Sequence, residues 1–404
     1  MAEIRLLELR SASKRGGGPE KTILLSAERH DRSRVSVVAA YLRPRREQEF
    51  LIGRTARARG VTFYEIEDRG KFDPRILRAI QEIVVAHDIN VVHAHDYKTD
   101  LFAFLLRRWL RKRAIAVLST AHGWGELGLR RELYRRLDLF LMRYFNHLIA
   151  VSHATKAEMV ASGVPAEAIS VIHNGIDTTG WSPLRDSAGF REELGLGRAF
   201  PVIGYVGRIS PEKDLETWLR TVAIVGKKYP EARFVLVGEG RNGSTQHQLE
   251  RLASELGIRA RVSFAGYRDH LQPVYAAFDA FLLTSRHEGL PNGILEAMAM
   301  SRPVVTTDVA GAVELVVDGA TGFVFPQGDV WGLADGLLVL AGDEQLRLRM
   351  GQAGRKRVES EFDFASRLRR VEDLYESVLN LRHTVASRKD RPVNQSLTGE
   401  GIFP

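Results

Sequence analysis

Two glutamates eight residues apart, Glu288 and Glu296, stand in the run His287-Glu288-Gly289-Leu290-Pro291-Asn292-Gly293-Ile294-Leu295-Glu296-Ala297-Met298-Ala299, directly after a strand-like apolar segment. With the strand ending near Ser285 and a helix beginning near Asn292, Glu288 falls on the connecting loop and Glu296 just inside the helix. Both then face the crevice at the carboxyl end of a sheet, where open α/β folds bind their ligands. The first peptide N–H groups of a helix lack partners within it and can donate to hydroxyls or phosphate. A Glu-x7-Glu spacing alone describes a capped surface helix with exposed acids. The neighbouring segments decide otherwise.

A second strand-like segment ends in Gly207-Arg208-Ile209-Ser210-Pro211-Glu212-Lys213-Asp214. Arg208 and Lys213 can bracket a diphosphate, arginine through a bidentate contact and lysine as a point charge. Fixed cations there stabilise the charge that grows on a departing phosphate. The same residues also read as a helix N-terminus, with Ser210 as cap and Pro211 at the first position. Both readings can hold together.

These loops need strands that end along one edge. A charged amphipathic strand is predicted at residues 4–9, and Gly16, Gly17 and Gly18 lead from it into an apolar-periodic segment near Thr22. That is a strand, a loop and a helix. Further strand-like runs at 36–40, 91–95, 116–120, 147–151 and 169–172 alternate with segments of helical period, which implies a parallel sheet. His173-Asn174-Gly175-Ile176-Asp177 follows as turn chemistry. From 178 to about 200 the strand pattern gives way to Gly, Ser, Pro and charge, marking a connection between domains. Alternation restarts with strands at 202–206, 234–237, 262–265, 280–283 and 304–306, a helix from about Leu215 and another through Glu296. Gly238-Glu239-Gly240 is a turn at a further strand end. The reading is therefore α/β with two units, 1–182 and 183–363, and a polar tail over 383–404 expected to be disordered.

A chain of 404 residues with 44% hydrophobic and 27% charged residues buries a sizeable core and favours two domains. No stretch approaches the roughly 20 apolar residues of a spanning helix, and the N-terminus lacks a signal peptide's succession of regions, so a cytoplasmic location is expected. The absence of cysteine excludes a disulfide framework, a thiolate metal site and a cysteine nucleophile. The net charge of +8 is concentrated: residues 101–145 hold ten Arg and Lys against three Asp and Glu. Arg107, Arg108, Arg111, Lys112 and Arg113, then Arg130, Arg131, Arg135, Arg136 and Arg143, alternate with Leu, Phe, Trp and Tyr. Two basic amphipathic stretches of this kind can lie on an anionic membrane surface, or cover apolar surface with arginine stems. No nucleic-acid motif accompanies the charge, and no nucleic-acid partner is expected.

Taken in order, these segments resemble the family 4 glycosyltransferases of the GT-B fold. The resemblance runs from Gly17-Gly18-Pro19-Glu20 through His122-Gly123, Val151-Ser152, His173-Asn174-Gly175-Ile176-Asp177, Gly207-Arg208 and the Glu288 and Glu296 pair. It continues through Arg302-Pro303-Val304-Val305, Gly311, Glu314 and Asp318-Gly319-Ala320-Thr321-Gly322-Phe323. It implies two Rossmann-like domains with parallel sheets facing across a deep cleft, and a helix near 364–382 crossing back onto the first. It also implies a retaining glycosyltransferase that moves a hexose-type sugar from a nucleotide-diphosphate sugar to a hydroxyl of a glycan or lipid-linked acceptor.

Residue by residue, the resemblance implies that Glu296 binds the donor ribose hydroxyls and that Glu288 sits by the transferred sugar. The backbone of Gly289, Leu290 and Asn292 would read the sugar hydroxyls. Arg208 and Lys213 would hold the diphosphate beside Gly207, with Gly17 and Gly18 approaching from the other domain. His122 would stand near the donor sugar, and Tyr267 and Asp269 near the nucleobase. No Asp-x-Asp motif is present, so neither a metal nor any other cofactor is expected, with Arg208 and Lys213 replacing a divalent ion. Bacterial polysaccharide or lipopolysaccharide assembly at the inner membrane face is the implied setting. A nucleotide-sugar epimerase on a related fold and an inactive nucleotide-sugar binder are the alternatives; the Gly207 and Glu288 segments argue against the first, and the presence of every key residue against the second.

Overall fold

The computed structural model describes residues 3–12, 17–47, 49–70, 73–110, 113, 115–124, 129–183, 186–240 and 243–389, with backbone only at 129–131 and 382–389. Gly16, Arg111, Lys112, the side chains of Arg130 and Arg131, and residues 390–404 of the expected tail lie outside what is described.

In the first half, strands β1 (Ile4–Ser11), β2 (Val35–Pro44), β3 (Thr62–Asp68), β4 (Val91–Ala94), β5 (Ala116–Ala121), β6 (His147–Ala150) and β7 (Ile169–Val171) pair in parallel in the order β3-β2-β1-β4-β5-β6-β7. Helices α1 (Gly18–Arg29), α2 (Leu51–Ala58), α3 (Pro74–Ala86), α4 (Tyr97–Trp109), α5 (Leu129–Met142) and α6 (His153–Ala161) connect them. The central strands β4 and β5 are buried on both faces because both are covered. On one face Leu7, Leu9, Val92 and Val117 pack with Ile80, Phe102 and Leu106 of α3 and α4.

The second half contains β8 (Val202–Val206), β9 (Arg233–Val237), β10 (Val262–Gly266), β11 (Ala280–Leu283), β12 (Val304–Thr307) and β13 (Gly322–Phe325), parallel in the order β10-β9-β8-β11-β12-β13. Its helices are α7 (Ala188–Glu193), α8 (Leu215–Lys228), α9 (Gly243–Glu255), α10 (Gln272–Ala276), α11 (Asn292–Ala299), α12 (Ala310–Leu315), α13 (Val330–Gly342) and α14 (Glu344–Glu361). Trp218, Tyr205, Phe234 and Phe281 are fully buried at its centre. In both sheets the strand order reverses beside the first strand, between β1 and β4 and between β8 and β11. Such a reversal opens a crevice at the strand ends.

A last helix, α15 (Phe364–Lys389), leaves the second half and covers the other face of the first sheet, where Val371, Tyr375, Val378 and Leu379 pack on Ile4, Leu6, Val91 and Leu118. Each such side chain contributes about 1.5–3 kcal/mol by burial. The helix runs seven residues past the expected end at 382. The two chain crossings between the halves are joined: Ile176 N–H donates to Phe362 O at 2.9 Å and Phe364 N–H to Ile176 O at 3.0 Å. Two strands were not legible beforehand. β3 is an edge strand whose residues are mostly exposed, so it lacks the apolar run, and β13 is an edge strand of which only Gly322 is fully buried.

Candidate active site

The β8 and β11 loops flank the second crevice and are tied to each other. Lys213 Nζ lies 2.6 Å from Glu288 Oε1, which also accepts from Ser285 Oγ at 2.7 Å. Arg286 N–H donates to Glu212 O at 2.9 Å, and Thr284 Oγ1 to Asp214 O at 2.9 Å. Asp214, with a left-handed φ of 45°, caps α8 through Thr217 and pairs with Arg286 Nε at 3.0 Å. The expected cap, Ser210, instead opens a single 3-10 turn over Pro211–Lys213, because the chain turns sharply at Asp214 before α8 begins. Arg208 stays outside this lattice. Its side chain is 63% exposed and touches only the rim of Glu212, at 3.5 Å, leaving the guanidinium accessible to an anion.

α11 begins at Asn292, as its sequence requires, and presents Glu296 one turn in. Tyr275 donates its hydroxyl to Glu296 Oε2 at 2.8 Å. Burial raises the Glu296 carboxyl above the usual range, opposed by the charge of Lys21 on α1 of the other half and by the Tyr275 bond. Gly207 and Gly238 press the β8 and β9 ends together: a Cβ on Gly238 would meet Gly207 O at 1.8 Å. Tyr267 and Asp269 follow β10, three strands from β11 at the sheet's edge, so the structure does not bring them to the Glu288 and Glu296 group.

From the first half, β1, β4 and β5 deliver polar residues at their ends. Arg10 pairs with Glu20 at 2.9 Å, and Glu20 accepts from Gly17 N–H at 2.6 Å. Burial opposes the Glu20 charge, but Arg10 outweighs it and holds the carboxyl below its usual range. Asp96 caps α4 and accepts from Ser11 N–H at 2.7 Å, fixing the loop entry. His122 follows β5, its Nε2 3.2 Å from His95 Nδ1, with His95 bonded in turn to Glu8. Burial is the main cause that pushes His122 well below the ordinary histidine range, with Arg10 adding to it.

The two halves meet through glycines. A Cβ on Gly18 would lie 2.6 Å from Asn292 Nδ2, and one on Gly123 2.8 Å from Gly289 Cα; within the second half, one on Gly311 would lie 2.1 Å from Gly289 O. Asn174 donates to Asn292 Oδ1 at 2.9 Å. Glu314 of α12 accepts from His153 and Ala154 N–H at the start of α6 and from His173 Nε2 at 2.8 Å. The cleft therefore gathers Gly17, Gly18, His122, Lys213, Glu288, Gly289, Leu290, Asn292 and Glu296 around one line of contact. Leu290 is buried there, its carbonyl facing Asn174.

Sequence reasoning passed over Glu8, His95, Asp96, Lys21 and Tyr275. The signal for two of them was present in His93-Ala94-His95-Asp96 at a strand end; for Lys21 and Tyr275 there was none, since they join the site only through packing. Among the described residues, two clusters have donor atoms within 4.8 Å of one another, Glu8 with His93 and His95, and His153 with His173 and Glu314. Hydrogen bonds within the protein already engage both.

Residues 16–179 match the family model described as Glycosyltransferase Family 4, and residues 200–343 that described as Glycosyl transferases group 1. The chain is 26% identical over 322 residues to the N-acetyl-alpha-D-glucosaminyl L-malate synthase of Bacillus anthracis, covering 79% of this chain and 83% of that one. It is 25% identical over 312 residues to the UDP-Gal:alpha-D-GlcNAc-diphosphoundecaprenol alpha-1,3-galactosyltransferase of Escherichia coli, covering 75% and 79%. The crystal structure of Anabaena HepE in complex with UDP-glucose superposes with a TM-score of 0.82 at 23% identity, over 93% of this chain and 100% of the other, a likeness of fold. With a family match on each of its two sheet-bearing halves, the chain belongs to the family 4, group 1 glycosyltransferases and has the GT-B fold.

Proposed function

We propose that this glycosyltransferase is a retaining, metal-independent enzyme that transfers a hexose-type sugar from a nucleotide-diphosphate donor to a hydroxyl of a glycan or lipid-linked acceptor. The observation that carries the reading is the cluster of Lys213, Glu288 and Glu296 at one strand reversal, closed by the His122 and Gly17-Gly18 loops from the other half. Glu296 accepts the ribose hydroxyls. Arg208 and Lys213 face the diphosphate, and their charges stabilise the leaving group as the sugar departs. Glu288 is already engaged by Lys213 and Ser285, which supports a role in orienting the sugar rather than attack on it. Front-face transfer follows, with a diphosphate oxygen taking the acceptor proton. Tyr267 and Asp269 stand toward the nucleobase.

The relative that acts on a diphosphoundecaprenol acceptor supports a lipid-linked substrate here. So does the surface formed by α4 and α5. Leu133, Leu137, Phe140 and Tyr144 recur at helical spacing and are exposed, as is Trp109, with Arg108, Arg136 and Arg143 beside them. Apolar side chains flanked by arginines suit insertion at an anionic bilayer surface. No helix among the described residues is long and apolar enough to cross a membrane, so contact is peripheral.

The test is binding and hydrolysis of UDP, GDP and ADP sugars by the native protein, Glu296→Ala and Arg208→Ala, with excess EDTA in parallel. Selective binding of one donor, lost in both variants, and turnover retained in EDTA are expected. Indifference to all donors, or activity that needs added Mg²⁺, counts against the reading. Anomeric configuration of the product, read by NMR, decides retention.

A further inference from the structure

His122 ends a chain of hydrogen bonds that runs into the core of the first half. Its Nε2 lies 3.2 Å from His95 Nδ1, and His95 Nε2 lies 2.5 Å from Glu8 Oε2. The other Glu8 oxygen accepts from the Tyr375 hydroxyl of α15 at 3.4 Å. His93 lies against His95 at a tilt of 34° with ring centroids 4.2 Å apart, but its two nitrogens are engaged by Tyr375 at 2.6 Å and Thr120 at 2.7 Å. His93 therefore cannot take the place of His95 in the chain.

Valence sets the proton positions. A neutral imidazole carries one N–H and one lone pair. Burial disfavours the charged forms of His95 and His122, and the Arg10 and Arg367 guanidinium groups repel them further, so both rings are neutral. Glu8 accepts from the Tyr375 hydroxyl at its other oxygen, as a carboxylate does. A carboxylate only accepts, so the proton between Glu8 and His95 sits on His95 Nε2 and leaves Nδ1 as a bare acceptor. His122 Nε2 must then be the donor to that nitrogen. His122 Nδ1 is left as a lone pair, buried and without a partner.

The geometry points to Glu8 and His95 as positioning residues that hold His122 in its Nε2–H tautomer, making Nδ1 a hydrogen-bond acceptor for a hydroxyl of the bound sugar. The inference rests on the donor-site reading and deepens it. A lone pair at this position accepts from O–H and repels phosphate oxygen, so His122 recognises the sugar and leaves the diphosphate to Arg208 and Lys213. The donor atoms of the buried Glu8, His93 and His95 group are already held by these hydrogen bonds within the protein.

The test is a two-bond ¹H–¹⁵N correlation spectrum of histidine-labelled native protein near neutral pH, with His122→Gln and His95→Phe used to assign the two rings. Both rings are expected to show the Nε2–H pattern without any donor present, and His122 is expected to lose it as a single tautomer in His95→Phe. A native His122 that is Nδ1–H or doubly protonated overturns the proposal. In turnover, His95→Phe is expected to lower kcat about 100-fold with donor KM unchanged, and His95→Asn, which keeps an acceptor near the Nδ1 position, to restore most of it. Equal loss of kcat in both variants also overturns it. Should the native protein turn over no nucleotide sugar, the donor-site reading fails, while the spectrum still decides the tautomer.

Discussion

A methyl group on Gly289 would stand 2.1 Å from the carbonyl oxygen of His122. Backbone faces backbone at this contact, so neither side can relax by rotating a side chain. The residue beside Glu288 thus has to be glycine for the two halves to approach as they do. Gly289→Ala is expected to lower sugar transfer at least about tenfold, since overpacking of this kind costs about 1–3 kcal/mol. Small-angle scattering checks the cause: the variant should be more open than the native protein.

Lys213 and Glu288 form a largely enclosed ion pair between the β8 and β11 loops, at 2.6 Å with side chains 16% and 10% exposed. Removing one partner of a desolvated, hydrogen-bonded pair costs about 2–5 kcal/mol, much of it from the charge left behind. Lys213→Met and Glu288→Gln are each expected to reduce kcat/KM strongly, and the double variant by less than the product of the two. Strict additivity in this double-mutant cycle would mean that the two side chains act independently.

Glu296 accepts from Tyr275 at one oxygen, which leaves the other for the donor. Hydrogen bonds to a charged group contribute about 1.5–3 kcal/mol. Glu296→Gln is expected to weaken nucleotide affinity by about 10- to 100-fold in calorimetry, and Tyr275→Phe by less, because only the orientation of the carboxylate is lost. Tyr275→Phe as damaging as Glu296→Gln would shift the binding role to the tyrosine.

A pH effect on stability comes from beneath the His122 loop. Trp124 donates to Asp138 on α5 at 3.1 Å, and Asp138 neighbours the buried Asp100 on α4. Burial raises both carboxyls, Asp138 to about 6. The folded state binds the proton more tightly than the unfolded chain, so this contribution is present below the ordinary carboxylate pKa of about 4 and is lost as pH rises through about 6. Asp138→Asn keeps the Trp124 acceptor without the charge. Its Tm is expected to exceed that of the native protein by about 2 °C or more near pH 8, with the difference shrinking near pH 5. A constant offset across that range would exclude Asp138 as the source.

On the α5 surface, Leu137→Ser with Phe140→Ser, and separately Arg108→Gln, Arg136→Gln and Arg143→Gln together, are expected to reduce co-sedimentation with anionic liposomes. The arginine set should also reduce its salt sensitivity. Donor hydrolysis in solution should stay at the native level in both. Undiminished liposome binding removes the membrane contact from the reading of this surface.

Most of the strands were legible because parallel strands buried on both faces carry uninterrupted apolar runs; β8 and β11 match the sequence reading residue for residue. The exceptions have physical causes. β3 is exposed at the sheet edge and carries no such run, and β13 is an edge strand that is only half-buried beyond Gly322. The Ser210 cap was misplaced because sequence alone does not show the left-handed turn at Asp214.

By itself, the chain's sequence determined the two alternating halves and the strand-end loops that carry Arg208, Lys213, Glu288, Glu296 and His122, since local periodicity and turn chemistry place such loops. Tertiary structure alone decided how those groups are held. Lys213 meets Glu288 across 75 residues of chain, Asn174 meets Asn292 across 118, and Glu8 meets His95 across 87. Nothing in a local pattern encodes such pairings, which arise when the strand reversals and the returning α15 bring distant strand ends to one cleft.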